Sequence, residues 1–182
     1  MRIIGGTHRS RRIDAPRNLP LRPTTDFAKE SLFNILENRA DLSTLTVLDL
    51  FSGTGAISYE FASRGASRII AVEKNTDAFR FIRRRSAEFG FHTITAIRAD
   101  VFRFLESCKD QFDIIFADPP YELEQMQRLP ELVFGKGILK AGGLLIIEHG
   151  SKINFSKAEQ FLEKRVYGEV NFSIFSLKTS DL

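Results

Sequence analysis

Five strand-like runs alternate with helical patterns through the middle of this 182-residue chain. The runs are Thr46–Phe51, Arg68–Glu73, Thr93–Ala99, Phe112–Ala117 and Leu144–Glu148. Several are continuously apolar rather than alternating, which suits parallel strands covered on both faces. Helical patterns lie between or beside them, near Thr54–Arg64, Asn75–Phe89, Val101–Cys108 and Leu123–Phe134. Parallel neighbours need a crossover, and one helix per crossover leads to a doubly wound α/β sheet. A short helix near Ser156–Glu163 is expected next. Lys164–Tyr167 and Val170–Leu177, hinged at Gly168, then read as a terminal antiparallel hairpin. The expected fold is a seven-stranded, mostly parallel sheet with helices on both faces.

Ahead of the sheet, Thr24–Thr25–Asp26 suits the cap of a helix whose Ala28, Leu32, Ile35 and Leu36 share one face. Short β-prone pieces around Gly5–Gly6 suggest a hairpin arm, followed by a proline-bounded extended piece, Ala15–Pro23. The expected division is a basic arm over residues 1–23 and one domain over residues 24–182. The arm carries Arg2, Arg9, Arg11, Arg12, Arg17 and Arg22 against one acid, Asp14, although the whole chain is only +3. Guanidinium forks suit phosphate oxygens, so the arm is expected to grip nucleic acid. A second cluster, Arg80, Arg83, Arg84 and Arg85, reads equally well as a solvated basic face.

Composition excludes several classes. One cysteine, Cys108, forms no internal disulfide, and three scattered histidines offer no ligand-spaced metal cluster, so no metal is expected. No run of 18 apolar residues is present, and the first residues lack the apolar core of a signal peptide. The expectation is a cytoplasmic protein without a membrane partner.

Two segments carry the chemistry. Asp49-Leu-Phe-Ser-Gly-Thr-Gly55 follows an apolar run and opens a helix, where glycines let the backbone turn and approach a nucleotide. Glu73 ends the next run, 20 residues past Gly53, where doubly wound folds place an acid for ribose hydroxyls. Asp100 ends the third run, either receiving an adenine amino group, capping the next helix, or both. Asp49 would then lie near a charged amino-acid tail. Ser58 stands where a dinucleotide fingerprint has its third glycine. The second segment, Asp118-Pro-Pro-Tyr121, ends the fourth run. Its prolines stiffen the turn, fixing Asp118 and the Pro119 carbonyl as two acceptors for a planar –NH2, with Tyr121 to stack on a base.

Together these segments resemble the two signature motifs of amino-group methyltransferases of the Rossmann-like class I type. Met1-Arg-Ile-Ile-Gly-Gly6, Leu21-Arg-Pro-Thr-Thr-Asp26, Glu30–Leu36, Ser63-Arg-Gly-Ala66, Gly142–His149 and Tyr167-Gly168 make the chain similar to the RsmD family nearly throughout. Ser52 and Thr54 in the glycine loop are small departures. The resemblance implies S-adenosylmethionine as cofactor and N2 of one guanine in 16S ribosomal RNA as target, within a small-subunit assembly particle and with no obligate protein partner. It implies a cofactor site of Thr25, Asp49, Phe51, Ser52, Gly53, Gly55, Glu73, Lys74, Asp100, Val101 and Asp118. Asp118, Pro119 and Tyr121 would serve the transfer, and Arg2, Arg9, Arg11, Arg12 and Arg22 the RNA. The rivals are a DNA adenine-N6 methyltransferase and a non-catalytic ribosome-assembly factor. A cytosine-C5 mechanism would need a cysteine nucleophile, and Cys108 sits in a Ser-Cys-Lys helical stretch away from both motifs.

Overall fold

A computed structural model describes residues 1–16 and 25–177. Arg17, Arg22, Thr24 and the Leu21–Thr24 part of the arm-to-helix motif lie outside the described residues. Helix α1 (Asp26–Glu37) begins at Thr25, whose hydroxyl accepts the Ala28 N–H at 3.2 Å. Then come β1 (Thr46–Leu50), α2 (Ala56–Ser63), β2 (Arg68–Glu73), α3 (Thr76–Glu88), β3 (Ile94–Arg98), α4 (Val101–Ser107) and β4 (Phe112–Ala117). The chain closes with α5 (Arg128–Gly135), β5 (Leu139–His149), β6 (Phe161–Tyr167) and β7 (Val170–Ser176). The sheet order is β3-β2-β1-β4-β5-β7-β6. β1 to β5 run parallel, and β7 lies antiparallel between β5 and β6. This is the expected doubly wound sheet with its terminal hairpin.

Alternate residues of the central strands feed two cores. Leu48, Leu50, Ile115, Ala117, Leu145 and Ile147 face α4 and α5. Val47, Ile114, Phe116, Leu144 and Ile146 face α1 and α2. The period-2 pleat therefore assigns each strand side chain to one layer.

Two expected elements differ. The helix foreseen over Leu123–Phe134 divides into a 3-10 turn, Glu124–Gln127, and α5. Pro130 has no N–H and its ring clashes with the carbonyl four residues back, so it fits only the first turn of a new helix. The helix expected near Ser156–Glu163 does not form, and turns lead into β6 at Phe161. Phe155 and Phe161 both pack edge-on against Phe175, at 5.3 and 5.9 Å between ring centres. That aromatic contact overrides a local helical pattern.

The arm is an antiparallel pair bridged at Arg2 and Arg12, with a 3-10 turn, Gly6–His8, at its tip. It is docked rather than free. Ile3 and Ile13, each 1% exposed, join Tyr59, Phe81 and Phe91 in a third apolar cluster. Gly6 lies so close to α2 that an added Cβ would stand 1.9 Å from the Ser63 carbonyl oxygen. Below it, the fully buried Glu60 accepts the Ile4 and Gly5 N–H groups, both at 2.8 Å. The same carboxylate pairs with Lys29 of α1 at 3.4 Å and Arg64 at 2.9 Å. Removing one partner from a buried charge set costs about 3–5 kcal/mol, because the others remain buried and unpaired. Glu60→Ala should lose about that much stability in urea denaturation, and Ile13→Ala about 2–5 kcal/mol. Unchanged midpoints in both would mean that the arm does not dock in solution.

Candidate active site

The carboxyl edge of the sheet opens into a cleft of about 1540 Å³. Its walls come from the loop after β1, Glu73–Asn75, Asp100–Arg103, the turn after β4, and Glu148. The chain leaves β1 through three left-handed residues, Phe51 (φ 57°), Gly53 (φ 54°) and Gly55 (φ 83°). Phe51 is the one with a side chain, a conformation that glycine adopts without penalty and other residues do not. The loop is held by Ser52, whose N–H donates to the Val72 carbonyl at 3.1 Å and whose hydroxyl lies 2.9 Å from the same oxygen. Ser52 thus stitches β1 to β2.

Glu73 secures the loop from the other side. One of its oxygens accepts the Gly53 N–H at 2.8 Å and the other the Asn75 N–H at 2.7 Å. Each oxygen keeps a further lone pair for a ligand. Asp100 caps α4 by accepting the Phe102 and Arg103 N–H groups at 3.1 and 3.3 Å. Its second oxygen faces the Lys74 ammonium at 3.5 Å, so capping leaves one oxygen on the cleft side of the turn.

Asp49 is different in kind. It is 1% exposed and receives the Ser58 N–H and hydroxyl at 3.1 and 2.5 Å. Burial pushes its carboxyl up to about 7, and the two Ser58 hydrogen bonds only partly oppose this.

The turn after β4 starts in register with the sheet, because the Asp118 N–H donates to the Leu50 carbonyl at 3.3 Å. Pro119 is buried, and the Pro120 carbonyl accepts the Leu123 N–H at 2.9 Å, closing the turn. The Tyr121 ring lies against Gly150, where an added Cβ would stand 3.4 Å from it. Asp118, Pro119 and Tyr121 therefore share one wall, across from Glu73 and Asp100.

The family model described as "Conserved hypothetical protein 95" matches residues 1–176. The chain belongs to that family. Among its relatives is the "Ribosomal RNA small subunit methyltransferase D" of Buchnera aphidicola subsp. Baizongia pistaciae, 30% identical over 85% of this chain and 78% of the relative. The protein of the same name from Escherichia coli K12 is 29% identical over 81% of this chain and 74% of its own. A solved hypothetical protein of Thermus thermophilus superposes with a TM-score of 0.86 at 28% identity, covering 97% of this chain and 99% of its own. The resemblance in the motifs thus extends to the family and to the fold.

In this family member most of the expected site residues meet at the cleft: Asp49, Phe51, Ser52, Gly53, Glu73, Lys74, Asp100, Val101, Asp118, Pro119 and Tyr121 all line it. Two do not. Thr25 caps α1 instead. Gly55 is the N-cap of α2, and an added Cβ would meet Tyr59 and Ile82 at 3.0 and 3.1 Å, inside the protein rather than in the cleft. Its role is to turn the chain and admit the neighbouring side chains. The arm arginines also lie off the cleft wall: Arg2 pairs with Asp26 at 2.9 Å, Arg11 lies over Phe89 at 4.3 Å, and Arg9 and Arg12 are exposed. Glu148 and Phe102 line the cleft and were not among the expected residues. Glu148 ends the fifth apolar run as Glu73 and Asp100 end earlier ones, and that recurrence was the available signal.

The raised Asp49 carboxyl has a signed consequence. The folded state holds this proton more tightly than the unfolded chain, so stability falls as pH rises from 3.8 to about 7 and then levels off. Asp49→Asn keeps an oxygen for the Ser58 donors and removes the titration. Its stability relative to the unaltered protein should therefore improve steadily across that window and stay flat above it. Urea melts of both proteins at a series of pH values check this, and a constant difference would contradict the burial argument.

Proposed function

We propose that this protein methylates the N2 amino group of a guanine in small-subunit ribosomal RNA, using S-adenosylmethionine, on an assembling subunit in the cytoplasm. The observation that carries the reading is the shared cleft: a rigid Asp-Pro-Pro-Tyr turn on one wall faces carboxylates suited to an adenosine on the other. The names of the relatives support the same chemistry.

The cleft residues fit the cofactor. Glu73, preorganised by two backbone N–H groups, accepts ribose hydroxyls, and the Asp100 oxygen beside Lys74 accepts the adenine amino group. Phe51, Ser52, Gly53, Lys74 and Val101 shape the wall between them. Asp49, once ionised, pairs with the ammonium of the amino-acid tail. When bound, S-adenosylmethionine supplies an electrophilic methyl group on a sulfonium centre.

A guanine amino group is a poor nucleophile because its lone pair is delocalised into the ring. Asp118 and the Pro119 carbonyl accept its two N–H bonds and favour the tetrahedral nitrogen whose lone pair is free to react. Positioning supplies much of the rate, and the carboxylate stabilises positive charge as it develops on nitrogen. The methylated nitrogen is acidic, so Asp118 acts as an acceptor of its proton rather than as a strong base. Tyr121 stacks on the base, which must first leave its own stack. A loop guanine in folded RNA is cheaper to extrude than a duplex base.

The arm reading continues in the same terms. Arg9 and Arg12, exposed on the docked hairpin, contact phosphates, with Arg2, Arg11 and Arg22 contributing. Because Ile3 and Ile13 are core residues, removing the whole arm would damage the fold along with RNA binding, so single side chains are the cleaner probe. Arg9→Ala with Arg12→Ala should weaken RNA binding and reduce the slope of log K against log salt by roughly 0.7–0.9 for each phosphate no longer neutralised. Binding titrations at several salt concentrations measure this, and an unaltered slope would place the RNA elsewhere.

Two substitutions separate cofactor binding from transfer. Glu73→Ala should weaken S-adenosylmethionine binding by roughly tenfold to a hundredfold in calorimetric titration, the worth of a charged hydrogen bond. Asp118→Ala should leave that affinity within a few-fold and slow transfer by about 10² or more, as when one preorganised transition-state acceptor is removed. Transfer is read by mass analysis of nucleosides from small-subunit RNA, with duplex DNA as the comparison. Methylation of adenine in the DNA alone would favour the rival enzyme, and full activity of Asp118→Ala would overturn the mechanism.

A further inference from the structure

We infer that Glu148 reads the ring edge of the target base, accepting the N1–H proton that guanine carries and adenine lacks. The inference rests on the guanine reading above and extends it to how the base is chosen.

The Asp-Pro-Pro-Tyr turn cannot choose. Guanine N2 and adenine N6 are both planar amino groups with two N–H bonds, and Asp118 with the Pro119 carbonyl satisfies either. The difference lies at the adjacent ring nitrogen, which is a donor in guanine and a lone-pair acceptor in adenine. A selecting group must therefore be an acceptor and must lie beside Asp118.

Glu148 meets both conditions. Ala117 of β4 pairs with Ile147 of β5, so Asp118 and Glu148 stand one rung further on, on strands about 4.8 Å apart. Phe116 and Ile146 face the same core, and the pleat brings the residues two further along to that same face. Both acids line the same cleft. Glu148 is 4% exposed and its backbone is held in β5 opposite Phe172 of β7, so its position is set by the sheet rather than by a loop. Tyr121 packs over Gly150, two residues after Glu148, so a base stacked on that ring would lie in the cleft that both Asp118 and Glu148 line.

An ionised carboxylate accepts only, and its two oxygens offer about four lone-pair sites. Glu148 can hold a donor from the protein and still take N1–H. Adenine would present its N1 lone pair to this buried carboxylate, leaving two acceptors facing one another without a proton. Sites that hydrogen-bond a substrate donor reject analogues lacking it far more strongly than apolar pockets reject a change of shape.

The test uses 2-aminopurine, which keeps the 2-amino group but has a lone pair at N1. A fragment of small-subunit ribosomal RNA, its methylated guanine first mapped with the unaltered protein, is prepared with guanine or 2-aminopurine at that nucleotide. The unaltered protein should show a kcat/KM for guanine roughly tenfold to a hundredfold above that for 2-aminopurine. Glu148→Gln should shrink this ratio by about tenfold, because an amide can accept from N1–H or donate to a bare N1. The missing O6 of 2-aminopurine is the same in front of both proteins and cancels from the comparison. Unchanged S-adenosylmethionine affinity and thermal midpoint show that the variant is folded. A merely structural Glu148 would slow both substrates alike, and an unaltered ratio would overturn the inference. Should the variant not fold, equal rates on the two RNAs with the unaltered protein would overturn it as well. Failure of the unaltered protein to methylate any guanine-bearing fragment, while methylating another base, would instead overturn the function on which this rests.

Discussion

The position of β1 between β2 and β4 is the constraint from which the site follows. Connections from β1 and β2 carry the chain outward to β3, and the chain then returns across the sheet to β4. The loops after β1 and β4 therefore diverge, and a crevice opens where the winding reverses. Asp49 at the end of β1 and Asp118 just past β4 flank that crevice because the Asp118 N–H still bonds to Leu50. Glu73 and Asp100 extend the cleft to one side and Glu148 to the other. No side chain has to search for its place, since the ladder spacing sets the distances.

Three carboxylates illustrate how one chemical group serves different ends when its surroundings differ. Glu73 holds two backbone N–H groups and stiffens the cleft wall. Asp49 is driven toward neutrality by burial and anchors α2 through Ser58. Glu60, at the opposite face of α2, stays tied to Lys29, Arg64 and the arm. α2 is thus fastened at the cleft by one acid and to the arm by another.

That connection alters what the arm is. Its arginines read as an appendage for polyanions, yet its two isoleucines belong to a core and its backbone N–H groups satisfy a buried carboxylate. A basic surface mounted this way keeps a fixed orientation to the cleft. If the arm engages RNA as proposed, less conformational entropy would be lost than by a free tail.

Much of the protein is legible in its sequence. Continuous apolar runs require strands covered on both faces, and single helices between them require parallel crossovers, so the sheet was implied by hydrophobic pattern alone. The glycine loop and the proline turn were legible for a related reason: both depend on local backbone geometry that few residues provide. Long-range packing decided the rest. Gly55 looked like a cofactor residue but faces Tyr59 and Ile82, because which way a loop glycine faces depends on the helices behind it. The stretch Ser156–Glu163 read as a short helix, until contact with Phe175 at the far end of the chain drew Phe161 into a strand. Ile3 and Ile13 were unremarkable in sequence, since a distant core partner cannot be read from adjacent residues, and Glu148 was signalled only by its place at the end of an apolar run, not by its neighbour on the next strand. The sequence by itself determined the strands, the turns and the acids that end them; only the tertiary structure decided which of those groups meet, because meeting is set by strand order and helix docking between residues far apart in the chain.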